Sequence, residues 1–190
     1  MNAIMIRVAT AAALALLPAM AQAHPGHGEL GGLLAGVGHP WAGLDHLLAM
    51  LAVGLWGAQL GGRARWALPV LFVAFMLVGA VAGVAGLVVA GLEQAILGSV
   101  MALGLLLLRA RRVSLAPGAL IVSAFALVHG LAHGMEMPGE AHLPAYMLGF
   151  ALSTAALHLA GIGLGSCRAA SVTRLLGAGI ALAGMGLALS

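Results

Sequence analysis

Six windows of mostly apolar residues follow one another along this chain, at 41–60, 66–85, 87–108, 115–134, 143–165 and 174–189. A helix that crosses the hydrocarbon core of a bilayer needs about 20 such residues. The last window is short and is read as starting a few residues earlier. The join between the second and third is nearly all apolar, so its boundary is soft. Inside hydrocarbon every backbone N–H and C=O must find a partner within its own segment, which leaves the α-helix as the form for windows of this length. The predicted fold is therefore all-α, a polytopic bundle of about six transmembrane helices.

Composition points the same way. The chain has 190 residues, 63% hydrophobic and 7% charged. A soluble domain carries about 25% charged residues, so this chain has too little polar surface to face water. Glycine, at 29 residues, suits membrane helices, where small residues let backbones approach closely. There is no Lys, and no basic patch interleaved with aromatics. That excludes a nucleic-acid partner and leaves the lipid bilayer. A single cysteine, Cys167, excludes an internal disulfide framework and a cysteine-rich metal site. The sequence leaves oligomeric state open, a homo-oligomer included.

Residues 1–23, MNAIMIRVATAAALALLPAMAQA, carry one positive charge at Arg7, an apolar stretch and then Ala21-Gln22-Ala23. That pattern reads as a secretory signal peptide cut after Ala23, with 24–190 as a single six-span transmembrane domain. An uncleaved first helix is the alternative. Cleavage would leave His24-Pro25-Gly26-His27 at a new N-terminus, two imidazoles and a free amine outside the cytoplasm. Pro25 has no amide proton to lose, which argues against a square-planar amide-nitrogen site there.

The charges sort by side. If the first span runs inward, then Arg63, Arg65, Arg109, Arg111, Arg112, Arg168 and Arg174 all fall on the cytoplasmic side, as the positive-inside rule requires. A signal peptide demands the same orientation. Glu29, Asp45, Glu93, Glu136 and Glu140 fall in the outer half or outer loops, and so do His24, His27, His39, His46, His129, His133 and His142. Only His158 lies deeper. No inverted repeat is evident between the two halves.

Three segments bring the donors. His39 and Pro40 are expected to open the first span, with Asp45 and His46 about one turn in. Adjacent residues point about 100° apart on a helix, so Asp45 reads either as a ligand at the pocket's edge or as the partner that orients an imidazole. Asp45 also offsets the positive end of the helix, which disfavours cations. His129, His133 and Glu136 stand at spacings of four and three, on one helical face. Glu93 lies in the third span, where an ionised acid calls for an ion, a cavity or a cationic partner. A lone histidine in a membrane is more often a hydrogen-bonded structural group than a ligand. Three spans contributing at one depth point instead to a cation site.

Imidazole with carboxylate suits nickel, cobalt, zinc or copper(II), whereas calcium and magnesium want more oxygens. Met76, Met101, Met135 and Met137 read as packing or lipid-facing residues. Met50, one turn after His46, is a further candidate. Protonated imidazole does not ligate, so affinity is expected to fall as pH drops through about 6–7.

His39-Pro40-x-x-Gly43-x-Asp45-His46-x-x-x-Met50-x-x-Val53-Gly54 resembles the signature of the HupE/UreJ family of nickel permeases. His129-Gly130-x-Ala132-His133-Gly134-x-Glu136 resembles that family's second signature. The resemblance covers the whole mature chain. It implies uptake of Ni2+, in some members Co2+, as transported substrate rather than cofactor, for hydrogenase or urease maturation. It also implies ligand or gating roles for His39, Asp45, His46, Glu93, His129 and His133. His24, His27, Met50, Glu136 and His158 extend that set. No Gly-x-x-x-x-Gly-Lys-Ser/Thr loop is present to bind nucleotide, so the expected mode is secondary permeation across the bacterial inner membrane.

Two other readings use the same residues. An intramembrane hydrolase could hold zinc on three His and a carboxylate with water in the open position, although His-Glu-x-x-His is absent. A non-transporting metal sensor or a helix scaffold for a partner needs only the binding site.

Overall fold

The computed structural model describes residues 29–109, 113–139, 141–167 and 169–190. The expected signal peptide, with His24 and His27, lies outside the described residues, as do Arg111, Arg112, Glu140 and Arg168. Seven helices make up the described chain: α1 (Glu29–Ala42), α2 (Leu44–Leu60), α3 (Ala64–Val84), α4 (Leu92–Arg109), α5 (Leu115–Met135), α6 (Leu143–Cys167) and α7 (Ala170–Ala188). The five from α3 to α7 are each long and apolar enough to cross a membrane; α1 and α2 pass that test only together, bent by 85° at their break, as a broken sixth span or a re-entrant loop. The protein is an all-α, multi-span membrane protein. Leu120, Val70, Leu175 and Leu182 lie on the exposed faces of these helices, where lipid is the matching solvent.

The bend corrects one expectation. His39 and Pro40 do not open the first span; they sit in the last turn of α1, with the break at Gly43. The segment before them carries four glycines between 31 and 38 and lies outside the six apolar windows, yet it is helical. Two of them, Gly32 and Gly36, lie against the start of α6. A Cβ on Gly36 would meet the Tyr146 carbonyl, and one on Gly149 would meet the Leu33 carbonyl, so α1 and α6 interlock backbone to backbone. Pro40 removes only the amide that would bond back to Gly36, a tolerable loss at a helix end.

A second correction concerns the join after α3. Gly86 and Gly91 take positive φ of 87° and 75°, a region that favours glycine. The chain turns between them, so α4 begins at Leu92 rather than 87.

The tightest pairing is α3 on α5. Gly79 and Gly83 would place a Cβ on the Leu127 and Leu131 carbonyls; Gly130 and Gly134 would place theirs on the Met76 and Ala80 carbonyls. Small residues four apart on both helices thus let backbones touch. Helix α2 packs against α3, α4 and α6. Its Trp56, Met50 and Val53 form the core with Phe72, Leu103, Val122 and Phe150.

Candidate metal centre

Four imidazoles converge where α1, α2 and α5 end or begin. His133 is the hub. Its ring centroid lies 4.6 Å from that of His39 and 4.2 Å from that of His46, while His129 sits 4.8 Å from His46. His129 and His133 are 0% and 1% exposed. Helices α2 and α5 are not among the closely packed pairs; their imidazoles fill the space between them. The glycine stripe of α5 explains the placement. Gly130 and Gly134 clamp one face of the helix on α3, so His129 and His133, one residue earlier and about 100° round, are held facing elsewhere.

Asp45 acts locally. Its Oδ1 accepts from the His46 backbone N–H at 2.8 Å and from His46 Nδ1 at 2.9 Å. Of the two roles open to it, this pairing is the orienting one. It leaves His46 Nε2 buried without a hydrogen-bond partner. Gly43 makes room for the pair. A Cβ there would lie 2.6 Å from Asp45 Oδ1 and 3.0 Å from His46 Nδ1. The glycine is needed for this approach and not for its backbone angles, φ −110° and ψ 125°, which any residue can adopt.

At the rim, His39 Nε2 and Glu136 Oε2 lie 3.2 Å apart, with the Glu136 side chain 58% exposed. Glu136 caps α5 and so ends the face that His129 and His133 began. His39, His133 and Glu136 each offer one ligand atom, all within 4.8 Å of one another. Ligands about 2.1 Å from a tetrahedral ion stand roughly 3.4 Å apart, so closing on an ion calls for a contraction of about an ångström. Both ring nitrogens of His133 are buried and unpartnered, free to turn toward such an ion.

The structure does not join Glu93 to this cluster. It lies exposed in the first turn of α4, and among the described residues no hydrogen bond or ion pair ties it to a histidine. Met50 is fully buried in the core. His158 is buried on α6, both its ring nitrogens unpartnered. The Phe72 ring separates it from the others, 5.9 Å from His129 and 5.1 Å from His158. Beyond it a cavity of about 460 Å³ opens between α3 and α6, lined by Val70, Ala74, Ala155 and Leu159, with His158 also on its wall.

Sequence reasoning passed over several neighbours. Ser99 of α4 bonds His129 Nε2 at 2.8 Å; its signal is that it is the one hydroxyl in α4 and the one polar side chain between Gln94 and Arg109. Tyr146, the chain's single tyrosine, and Phe150 form an aromatic wall, at 5.8 Å from His39 and 4.1 Å from His133. Trp41 Nε1 donates to Ser153 Oγ at 2.7 Å, tying the end of α1 to α6 beside the bend.

Comparison with known proteins agrees over nearly the full length. A family model described as HupE / UreJ protein matches residues 12–188. Protein HupE of Rhizobium leguminosarum bv. viciae is 41% identical over 186 residues, covering 95% of this chain and 96% of that one. No solved structure matches the chain.

Proposed function

The chain belongs to the HupE/UreJ family, and from that premise we propose that it is a permease, not an enzyme, carrying Ni2+ or Co2+ into the cell. The mode is secondary and ATP-independent, across the bacterial inner membrane, with the mature N-terminus outside the cytoplasm. The ion then supplies a hydrogenase or urease. The observation that carries this reading is the convergence of four imidazoles from three helices beside two carboxylates at one end of the bundle.

The route is as follows. Glu93 and Glu136 draw the hydrated cation to the outer rim, and the His24 and His27 tail captures it there. His39, His46 and His133 replace part of its water, with Asp45 supplying negative charge and holding the His46 ring. His129 receives the ion at the buried side of the cluster. His158, past Phe72, relays it inward, and Met50 lies one turn below His46 on the way. Borderline donors of this kind rank nickel and cobalt above calcium or magnesium.

Radioactive nickel uptake into cells tests this, with cobalt and zinc as competitors. Cells carry either the intact chain or His46→Ala at matched membrane levels. Uptake that depends on His46 and yields to a competitor supports permeation and ranks the metals. Background uptake from folded, inserted protein overturns it. Chelator-sensitive hydrolysis of a lipid or peptide by the purified protein would then favour the hydrolase.

A further inference from the structure

Ser99 and His129 form a buried pair whose proton positions follow from valence alone. Ser99 is 1% exposed and His129 fully buried. Ser99 Oγ lies 2.7 Å from the Ile96 carbonyl oxygen and 2.8 Å from His129 Nε2. A carbonyl oxygen only accepts, and a serine hydroxyl has one hydrogen to give. That hydrogen goes to Ile96, so toward the imidazole the hydroxyl oxygen is an acceptor. His129 Nε2 therefore carries the ring proton. A neutral imidazole has one N–H, which leaves the lone pair on Nδ1, and this atom is buried with no hydrogen-bond partner.

His46 shows the opposite arrangement. Its Nδ1 faces the Asp45 carboxylate at 2.9 Å, and Nε2 is the buried, unpartnered atom. Each histidine thus has one nitrogen tied to a supporting oxygen and the other left open, and the two leave different atoms open.

We propose that Ser99 is a positioning residue that holds His129 as the Nε2–H tautomer, committing Nδ1 as the atom this histidine offers to the transported ion. The partner that fixes the free nitrogen of a ligating histidine commonly sets its tautomer and its basicity. Here a serine on a third helix does what a carboxylate does for His46. Ser99 thereby brings α4 into the site, a helix that contributes no imidazole of its own. The ion's part in this inference rests on the transport reading; the tautomer does not.

Nitrogen-15 NMR on histidine-labelled full-length protein in nanodiscs tests it, with His129 assigned by comparison with His129→Gln. The metal-free protein is expected to show His129 protonated at Nε2. Added Zn2+ should shift Nδ1 while Nε2 keeps its proton. Calorimetric titration with Ni2+ should then show Ser99→Ala weakened by about tenfold or more, and Ser99→Thr restored toward the parent. A proton found on Nδ1, a metal shift at Nε2, or parental affinity in a folded Ser99→Ala protein would overturn the assignment. The NMR readout needs no transport. A protonated Nε2 in a chain that takes up no nickel would sink the permease reading and leave the tautomer standing, whereas nickel uptake with the proton on Nδ1 would do the reverse.

Discussion

The histidine cluster at one end of the bundle and the lone His158 hold the same side chain in two different settings. His39 and His46 each have a carboxylate within about hydrogen-bond reach, at 3.2 and 2.9 Å. Among the described residues His158 has none, and both its nitrogens lack hydrogen-bond partners there. Around it are Phe72 and an apolar cavity wall. A divalent ion leaving water needs charge compensation as well as donors, so on the proposed reading the cluster holds the ion and His158 only passes it on.

The sharpest way to break that contrast is to remove the hub. His133→Ala is expected to abolish nickel uptake and to weaken binding by more than the 10- to 100-fold typical of losing a ligand's supporting partner. Both follow from uptake assays and calorimetry at matched protein levels. Asp45→Asn comes next. It keeps an acceptor for His46 Nδ1 but removes the charge, and affinity should fall within that 10- to 100-fold range. Gly43→Ala attacks the same pair from the backbone, because its Cβ would press on Asp45 Oδ1. A loss of about tenfold is expected, with the melting temperature far less affected, since the site and not the helix packing is disturbed.

His158→Ala sharpens the comparison from the other side. Nickel affinity at the cluster should stay within about twofold, the scale of weakly coupled sites, because the Phe72 ring stands between His158 and His129, while the rate of uptake falls. Equal losses in affinity and rate would make the two regions one site. The smallest effects belong to the rim. Glu136→Gln should lower uptake by about two- to fivefold, the scale of an exposed ion pair, and the deficit should shrink as salt is raised. Glu93→Gln should likewise reduce uptake more than it reduces binding, because an exposed charge steers association more than it holds the bound ion.

Much of this molecule is legible one helix at a time. The length of the apolar windows dictates the all-helical bundle, since hydrocarbon leaves the backbone no other partners. Alternation of direction then sorts charges without any knowledge of packing: Arg109 ends α4 and Arg63 lies in the turn between α2 and α3, while Asp45 and Glu93 stand in the first turns of α2 and α4. The spacing of His129, His133 and Glu136 is equally local: it puts the two imidazoles on one face of α5, with Glu136 at its cap.

What depends on how closely two helices approach was decided by tertiary structure. Gly36 and Gly149 seat α1 on α6, and the sharp bend after it sets His39 beside His133. Glu93 and Glu136 carry the same charge, one at the start of α4 and the other at the end of α5. Only the fold sets Glu136 beside His39 and leaves Glu93 exposed. The bond from Ser99 to His129 spans 30 residues, beyond any periodicity. Residue spacing along one helix fixes angle and height about its own axis. Which donor meets which acceptor depends on contacts between axes, and here backbone packing through glycine sets those distances.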